Sequence, residues 1–252
     1  MTEAPGKIHH REKTAYSSME ETGKKKIFYA ELAYCFGLLC STIGIALMER
    51  ADFGVSMVVA PAYLLHLKLV QIFPWFTFGT AEYTFQALLL LIIVLVLRRI
   101  RLSWFFSFVT AVLVGLVLDI VMIPVARFPV DRIWQRLIWY LLGMQFCSFG
   151  IALMFHTYIS PEVYELFVKL LSRKAGMELH KFKTVYDCAS LLLGIVFSFL
   201  FFGFGHFEGV KWGTIFCALI NGKCIGLWSG FFEKRFTFSD ALPLRKYFED
   251  QC

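Results

Sequence analysis

The stretch Gly37-Leu-Leu-Cys-Ser-Thr-Ile-Gly-Ile-Ala-Leu-Met48 returns 106 residues later as Gly143-Met-Gln-Phe-Cys-Ser-Phe-Gly-Ile-Ala-Leu-Met154. Half of the aligned positions are identical, including the unbroken Gly-Ile-Ala-Leu-Met, and both glycines keep their places. Glycine, alanine and leucine recur by chance in apolar helices, but chance does not explain a five-residue identity with both glycines in phase. The two stretches therefore predict that the chain consists of two related halves.

The segments that follow the two copies come in the same order. A short apolar segment interrupted by proline or charged residues comes first, at 53–73 in the first half and at 160–171 in the second. Apolar spans follow in both halves, and the aligned residues are Thr80 with Thr184, Trp104 with Trp212, and Gly115 with Gly222. We therefore expect the two halves to share one internal arrangement.

The composition indicates that lipid surrounds much of the chain. Hydrophobic residues make up 58% of the 252 residues, charged residues only 17%, and the mean hydropathy is +0.64. A soluble domain averages about 45–50% apolar and about 25% charged residues. Because a chain of this length cannot hide so much apolar surface in its own core, an all-α polytopic membrane protein is predicted.

Six segments are long and apolar enough to cross a bilayer, which takes about 20 residues per helix. They are 28–48, 80–97, 103–125, 134–155, 184–205 and 212–232. The two interrupted segments are poorer candidates, since the first contains Pro61, His66 and Lys68 and the second contains Glu162 and Glu165. An eight-span topology that counts both of them as crossings is the alternative.

The distribution of Lys and Arg residues decides the orientation. With the N-terminus in the cytoplasm, 18 of the 25 Lys and Arg residues fall in cytoplasmic segments and six in external ones. Cytoplasmic loops of membrane proteins carry this excess of positive charge. The eight-span alternative would place Arg98, Arg99 and Arg101 outside, against the same rule. Six spans with both termini in the cytoplasm are therefore predicted.

Three spans per half is an odd number, so the second half must enter the membrane from the opposite side. The predicted fold is two inverted three-helix repeats, each with a short segment that is re-entrant or interfacial. The predicted division is a cytosolic polar tail 1–27, a first repeat half 28–126, an external linker 127–133, a second repeat half 134–232 and a cytosolic tail 233–252. Many transporters are built from inverted repeats, so the repeat suggests transport by analogy.

Glycines recur at helical spacing and are predicted to pack helices against one another. Small residues on one face of a helix let two backbones approach closely in lipid. The glycines form three sets: Gly37 with Gly44, Gly143 with Gly150, and Gly222 with Gly226 and Gly230.

Charged residues within an apolar span are costly, so they need a partner or a function. Asp119 in the third span and Lys223 in the sixth fall about one turn apart on equivalent helices. They predict a buried ion pair, and the alternative is that Lys223 extends outward to the interface. Glu31, Glu82 and Asp187 lie near the ends of spans and are interpreted as solvated interfacial carboxylates.

A substrate or ion site is expected where the two interrupted segments approach the middle of the membrane. In transporters with inverted repeats, a pair of interrupted apolar segments at matching positions is the best sequence indicator of the binding site. The candidate binding residues lie in or beside these segments and in the third and sixth spans: Ser56, Pro61, Asp119, Ser160, Pro161, Asn221 and Lys223.

Three stretches carry a resemblance to a known family: Arg50-Ala-Asp-Phe-Gly-Val-Ser56, Ser160-Pro161, and Trp212-Gly-Thr-Ile continuing to Gly222. With the glycine-rich first span, they resemble the bacterial YczE/YyaS/YitT-type membrane proteins over roughly residues 30–235. That family's pattern continues with Pro-Trp-Asp after the serine, whereas Met57-Val-Val59 stands here. The resemblance implies a bacterial inner-membrane protein and implies no defined biochemical role.

Motifs for catalysis, metal binding or cofactor binding are absent from the sequence. There is no HExxH, GxSxG or phosphate-binding loop motif, so we expect neither an enzyme nor a cofactor. The seven cysteines form no CxxC pair, which argues against a metal site and a disulfide framework. The net charge of +6 comes from clustered loop residues, and a basic stripe with interleaved aromatics is missing, so no nucleic-acid partner is expected.

Two functions agree with these features. The leading hypothesis is a small-molecule or ion transporter, or the membrane subunit of one, with a site between the two repeats. The alternative is a non-transporting membrane protein that scaffolds, regulates or assembles other proteins, and an intramembrane enzyme ranks third. A polar cavity between the halves favours the transporter, and a sealed apolar interior favours the scaffold. The lipid bilayer is the expected partner, and the oligomeric state is left open.

Overall fold

Helices make up almost all of the regular structure. The computed structural model describes residues 25–204, 208–243 and 245, so the predicted tails fall mostly outside it. The described elements are β1 (Lys26–Tyr29), α1 (Ala30–Ala51), α2 (Ala60–Leu69), α3 (Phe78–Leu97), α4 (Leu102–Ala126), α5 (Ile133–Phe155), α6 (Val163–Ala175), α7 (Leu179–Phe202), α8 (Trp212–Arg235) and β2 (Phe236–Ser239). Six of these helices, all but α2 and α6, are long and apolar enough to cross a membrane. The prediction of an all-α polytopic membrane protein is confirmed.

Local sequence signals set where the helices begin and end. Pro61 lies in the first turn of α2, where the missing backbone N–H would have no helical partner anyway. α1 ends at Asp52 and α6 ends at Gly176, both in the left-handed conformation that closes many helices. α3 begins at Thr77, whose Oγ1 accepts a hydrogen bond from the Thr80 N–H at 3.1 Å.

The antiparallel pair of α1 and α5 forms the centre of the bundle. A Cβ atom on Gly37 would lie 2.8 Å from the carbonyl oxygen of Gly150, and one on Gly44 would lie 2.6 Å from that of Gly143. The internal repeat equates Gly37 with Gly143 and Gly44 with Gly150. It therefore relates the Gly37–Gly150 contact to the Gly44–Gly143 contact. Such self-complementary contacts are typical of a two-fold axis, which here runs between α1 and α5.

Much of the remaining packing follows the same two-fold relationship. α4 packs against α1 as α8 packs against α5, and α2 packs against α3 as α6 packs against α7. The short helices also cross between the halves, because α2 contacts α7 and α6 contacts α3. The two halves are therefore inverted repeats that share one interior.

Helix α6 re-enters the bundle and returns to the end from which its chain segment came. At the start of α6, the backbone N–H of Val163 donates to Oε1 of Gln86 in the middle of α3 at 2.9 Å. At its other end, Lys174 Nζ donates to the Val96 carbonyl near the C-terminus of α3. At about 1.5 Å per residue, its 13 residues are too short to cross a hydrocarbon core of about 30 Å.

Helix α2 is the counterpart of α6 and re-enters from the opposite end. It begins beside the middle of α7, where a Cβ on Gly194 would lie 3.5 Å from the Ala60 Cβ. It then extends toward the C-terminal end of α7, where Lys68 Nζ lies 3.4 Å from the Phe201 carbonyl oxygen. With 10 residues it also cannot span a bilayer, which favours six spans over eight.

The two strands bring the ends of the described chain together. β1 and β2 pair in parallel, with Lys26 opposite Phe236, and the Phe28 ring packs against Phe236 and Phe238. Phe28 was expected at the start of the first span, and Phe236 and Phe238 in the cytosolic tail. We call the end of the bundle that carries the strands the terminal end and the other the distal end. At the distal end Asp52 pairs with Arg136 at 2.6 Å and with Lys211 at 2.5 Å.

Candidate functional site

A cavity of about 320 Å³ lies between the two halves. Its walls come from α1, α5, α7 and α8, from the residues just before α2, and from the start of α6. It extends from the middle of the bundle toward the terminal end, because Phe155 in the last turn of α5 and Lys183 in the second turn of α7 both line it. The interior of the bundle is therefore not sealed.

Both re-entrant segments contribute their inner tips to this cavity. Ser56 to Val59 line it just before α2 begins, and Pro161 and Glu162 line it just before α6 begins. Val59 and Glu162 are the residues immediately before α2 and α6, so they occupy equivalent positions at the two tips. The N-terminal ends of both short helices thus meet at one space between the halves, as the interrupted segments predicted.

Four charged side chains line the cavity: Glu162, Glu165, Lys183 and Asp187. Lys183 Nζ forms an ion pair with Glu165 Oε1 at 2.9 Å. The Oδ1 atom of Asp187 is buried and has no hydrogen-bond partner. One lysine therefore faces three carboxyl groups, and the lining carries an excess of acid.

Glu162 is hydrogen-bonded to a buried polar network formed by Gln86 and Glu82. Gln86 Nε2 donates to Glu162 Oε2 at 2.9 Å and lies 3.4 Å from Glu82 Oε1. Glu82 and Gln86 are both fully buried, and the second carboxylate oxygen of Glu82 has no hydrogen-bond partner. One amide thus links two carboxyl groups on different halves of the protein.

The surroundings of Glu162 favour its protonated form. The pKa of its carboxyl is raised to about 7, mainly by burial; the hydrogen bond from Gln86 opposes the shift and the nearby Glu165 adds to it. A carboxyl group with a pKa near neutrality exchanges its proton readily in the physiological range. Glu162 can therefore hold either a proton or a cation in the cavity.

Asp119 lies away from the cavity and caps helix α3 near the distal end. Its Oδ2 accepts a hydrogen bond from Thr77 Oγ1 at 2.6 Å, and its Oδ1 accepts one from the Gly79 N–H at 2.8 Å. A carboxylate is favoured at a helix N-terminus, where backbone N–H groups are free and the helix dipole is positive. This capping explains how α4 accommodates the charge.

The predicted ion pair between Asp119 and Lys223 is wrong. Both residues are described by the structure, and no ion pair joins them, because Asp119 bonds to the start of α3 while Lys223 is exposed on the surface of α8. The outward position of Lys223 agrees with the alternative interpretation. The sequence showed which span carries each charge but could not tell which way each helix is rotated.

The other candidate residues are divided between the cavity and its supports. Ser56, Pro161 and Asn221 line the cavity, and Asn221 Oδ1 accepts a hydrogen bond from Ser148 at 2.7 Å. Ser160 is fully buried, and its carbonyl accepts a hydrogen bond from Thr110 at 3.0 Å. Pro61 starts α2 and does not line the cavity.

Several residues of the cavity were missed or misinterpreted in the sequence. Glu82 and Asp187 were interpreted as solvated carboxylates near span ends, yet Glu82 is fully buried beneath α6 and Asp187 lines the cavity. Glu162 and Glu165 were used only to argue against an additional span. One sequence feature could have identified Glu162 and Glu165 as cavity residues. Both follow Pro161, at the tip of a segment already expected to reach the middle of the membrane.

We call the α3–α4 boundary of the first half and the α7–α8 boundary of the second half the outer seams. The two outer seams differ in how closely their helices pack. Between α3 and α4, a Cβ on Gly115 would lie 2.6 Å from the Gly79 carbonyl oxygen. No comparable packing joins α7 to α8, and Gly222, the repeat equivalent of Gly115, lines the cavity. The first half is therefore closed where the second half is open.

The glycines of α8 do not pack against another helix, contrary to the prediction. A Cβ on Gly222, Gly226 or Gly230 would meet no atom within 4 Å among the residues that the structure describes. The other two sets lie at the α1–α5 contact described above. Gly222, Gly226 and Gly230 thus form an uncovered surface on α8, which we call the glycine surface, beside the open α7–α8 seam.

Among the described residues, no group of three or more His, Cys, Asp or Glu side chains is placed to hold a metal ion.

No curated protein and no solved structure matches the chain significantly. A family model matches residues 28–230, which include both repeat halves and both re-entrant segments, and it names no link to the YczE/YyaS/YitT-type proteins. The chain belongs to DUF6198, a family of unknown function.

Proposed function

We propose that this protein is a small-molecule or ion transporter, or the membrane subunit of one, with its substrate site in the cavity between the repeats. The observation that carries the proposal is the cavity itself, which is lined by both re-entrant tips and by charged side chains. Inverted-repeat transporters bind their substrates at this position, near the middle of the membrane and at the interface of the repeats. A scaffold would need no such space.

The unequal seams support an alternating-access mechanism. The α3–α4 seam is closed while its counterpart, the α7–α8 seam, is open. Exchanging the two arrangements would open the first seam and close the second, and the cavity would then face the distal end. The glycine surface of α8 offers a flat face on which α7 can close, as Gly115 of α4 does for α3.

The proposal includes an orientation in the cell membrane. The excess of Lys and Arg residues on the terminal side supports a cytoplasmic location of both termini. In this orientation the cavity extends toward the cytoplasm and the Asp119 cap lies near the outer surface. On this proposal, the arrangement described above is the state that receives substrate from, or releases it to, the cytoplasmic side.

Cysteine accessibility tests the proposal without knowledge of the substrate. In a variant without the native cysteines, Asn221→Cys reports on the cavity and Tyr83→Cys on the closed seam, where the Tyr83 ring contacts Gly115. A membrane-impermeant thiol reagent should modify Asn221→Cys from the cytoplasmic side, and Tyr83→Cys more slowly and from the outside only.

Two exposed positions serve as controls for sidedness. Glu178→Cys at the terminal end and Arg127→Cys at the distal end should react quickly from opposite sides. If Asn221→Cys reacts from neither side while both controls react, the interior is sealed and the scaffold hypothesis is correct. If Tyr83→Cys never reacts from the outside, the seams do not alternate and the transport mechanism is wrong.

A further inference from the structure

We propose that the cavity binds a small organic cation with an apolar body, such as a substituted ammonium ion. This inference rests on the proposed function, because it assigns a substrate class to the same cavity. It is carried by the charge balance of the lining, by its apolar character and by the gap between α7 and α8.

The charge balance calls for a cation. Of the three carboxyl groups that line the cavity, Glu165 forms an ion pair with Lys183 at 2.9 Å, and the same lysine also attracts Asp187, so one positive charge serves three acids. Glu162 receives a hydrogen bond from the neutral Gln86, and Asp187 Oδ1 has no hydrogen-bond partner. Ionised carboxylates at this depth are costly unless a positive charge accompanies them. A bound cation supplies that charge, and protons replace it when the cavity is empty.

A second observation concerns Tyr164, which lines the cavity and is 5% exposed. Its buried hydroxyl interacts with the Glu82 carboxyl beside it but forms no hydrogen bond of normal geometry. Buried hydroxyl groups without a well-formed hydrogen bond are rare in folded proteins, because they lose free energy on leaving water. An aromatic ring next to carboxylates is also a common element of sites for substituted ammonium ions.

The size and lining of the cavity favour an organic ion over a metal ion. Its volume of about 320 Å³ is within the range of small-molecule pockets, and its walls include Ile45, Met57, Met154 and Ile225. Divalent metal ions need several closely placed oxygen, nitrogen or sulfur ligands. Among the described residues no cluster of three such side chains exists. Methionine side chains adapt to apolar ligands of different shapes.

The opening between α7 and α8 contains a second cavity at its distal end. This largely apolar cavity of about 490 Å³ is lined by Leu191, Ile195, Trp212 and Ile215, and its lysine, Lys211, is paired with Asp52. Apolar walls on this side of the bundle suit a ligand with an apolar body better than an inorganic ion.

The test is thermal unfolding of the detergent-purified full-length protein with three probes at equal ionic strength: benzyltrimethylammonium chloride, sodium benzoate and potassium chloride. A ligand that binds only the folded state raises the unfolding temperature as its concentration increases. We expect a saturable rise with benzyltrimethylammonium alone. The variants Glu162→Gln and Asp187→Asn should each weaken its apparent affinity by about tenfold or more.

The control variant is Glu178→Gln, which removes an exposed carboxylate paired with Lys181 and should leave the response unchanged. The inference is overturned if benzoate stabilises the protein instead, or if the ammonium probe has no effect. It is also overturned if Glu178→Gln weakens the response as much as Glu162→Gln and Asp187→Asn do, since the probe would then act through surface charge.

Uptake of the labelled ammonium probe into proteoliposomes separates this inference from the proposed function. Saturable binding without uptake supports the cation site and counts against transport. Alternating cysteine accessibility without binding of the ammonium probe supports transport and overturns the cation site.

Discussion

Gly37 and Gly150 lie in direct backbone contact, and the internal repeat turns the same contact into that of Gly44 with Gly143. A Cβ on Gly150 would come within 2.4 Å of the Gly37 carbonyl oxygen. Because backbone atoms block all four positions, neither helix can accept a larger residue without moving away from the other. Two close backbone contacts related by the repeat therefore lie on the two-fold axis of the fold.

Gly44→Ala should destabilise the protein by about 1–3 kcal/mol, the usual cost of overpacking a buried position. The new Cβ would lie 2.5 Å from the Cys147 N and 2.6 Å from the Gly143 carbonyl oxygen. Gly230→Ala is the matched control, because open space surrounds Gly230 and alanine favours a helix by about 1 kcal/mol. Thermal unfolding should show a lower unfolding temperature for the first variant only, and equal effects would contradict this packing.

Asp119→Ala should lower stability by about 0.5–2 kcal/mol, the range for loss of a helix N-cap. The variant leaves the Gly79 N–H and the Thr77 hydroxyl without their acceptor. A double-mutant cycle with Thr77→Ala should give a coupling energy of about 0.5 kcal/mol or more. Lys223→Ala is the control and should be near neutral, since that side chain is exposed. A coupling energy between Asp119 and Lys223 instead would contradict the conclusion that these two residues form no ion pair.

Stability should fall as the pH rises through about 7, because of Glu162. Its folded pKa of about 7 lies above the usual value of 4.5, so between these values the folded protein binds more protons than the unfolded chain. Stability therefore decreases with increasing pH in this window. The titratable groups that interact electrostatically with Glu162 are Tyr34 on α1, Glu82 on α3, Cys147 on α5, and Tyr164 and Glu165 on α6.

Unfolding temperatures measured at pH 5 and pH 8 check this prediction. The drop in stability between the two should be smaller in Glu162→Gln than in the unmodified protein, because glutamine does not titrate. Binding of the ammonium probe should show the opposite trend and strengthen as the pH rises, since the ionised carboxylate attracts it. An unchanged pH profile in Glu162→Gln would show that Glu162 keeps its usual pKa.

Sequence patterns predicted the close contact between α1 and α5 better than the partners of the charged residues in the interior. The glycines of α1 and α5 signal close contact because small residues at helical spacing have few other uses in lipid. The sequence also shows which span carries Asp119. The partner of a charge depends on helix rotation and on non-local packing. Glu82 became fully buried because the re-entrant α6 covers α3, and no local pattern around Glu82 shows this.

The last prediction concerns the glycine surface of α8. Gly226→Leu should leave stability nearly unchanged, since a Cβ there meets no described atom within 4 Å, but it should prevent α7 from closing on α8. Leu219→Phe is the control, because it adds bulk at a position of the same helix that is already 70% exposed.

In the accessibility assay, Gly226→Leu should keep Asn221→Cys reactive from the cytoplasmic side and abolish the slow reaction of Tyr83→Cys from the outside. Uptake of the ammonium probe should stop while its binding persists, because the variant holds the protein in the state described here. Leu219→Phe should change neither readout. If Gly226→Leu leaves uptake intact, α8 does not serve as the closing surface, and the α7–α8 gap is a fixed opening that takes no part in the transport cycle.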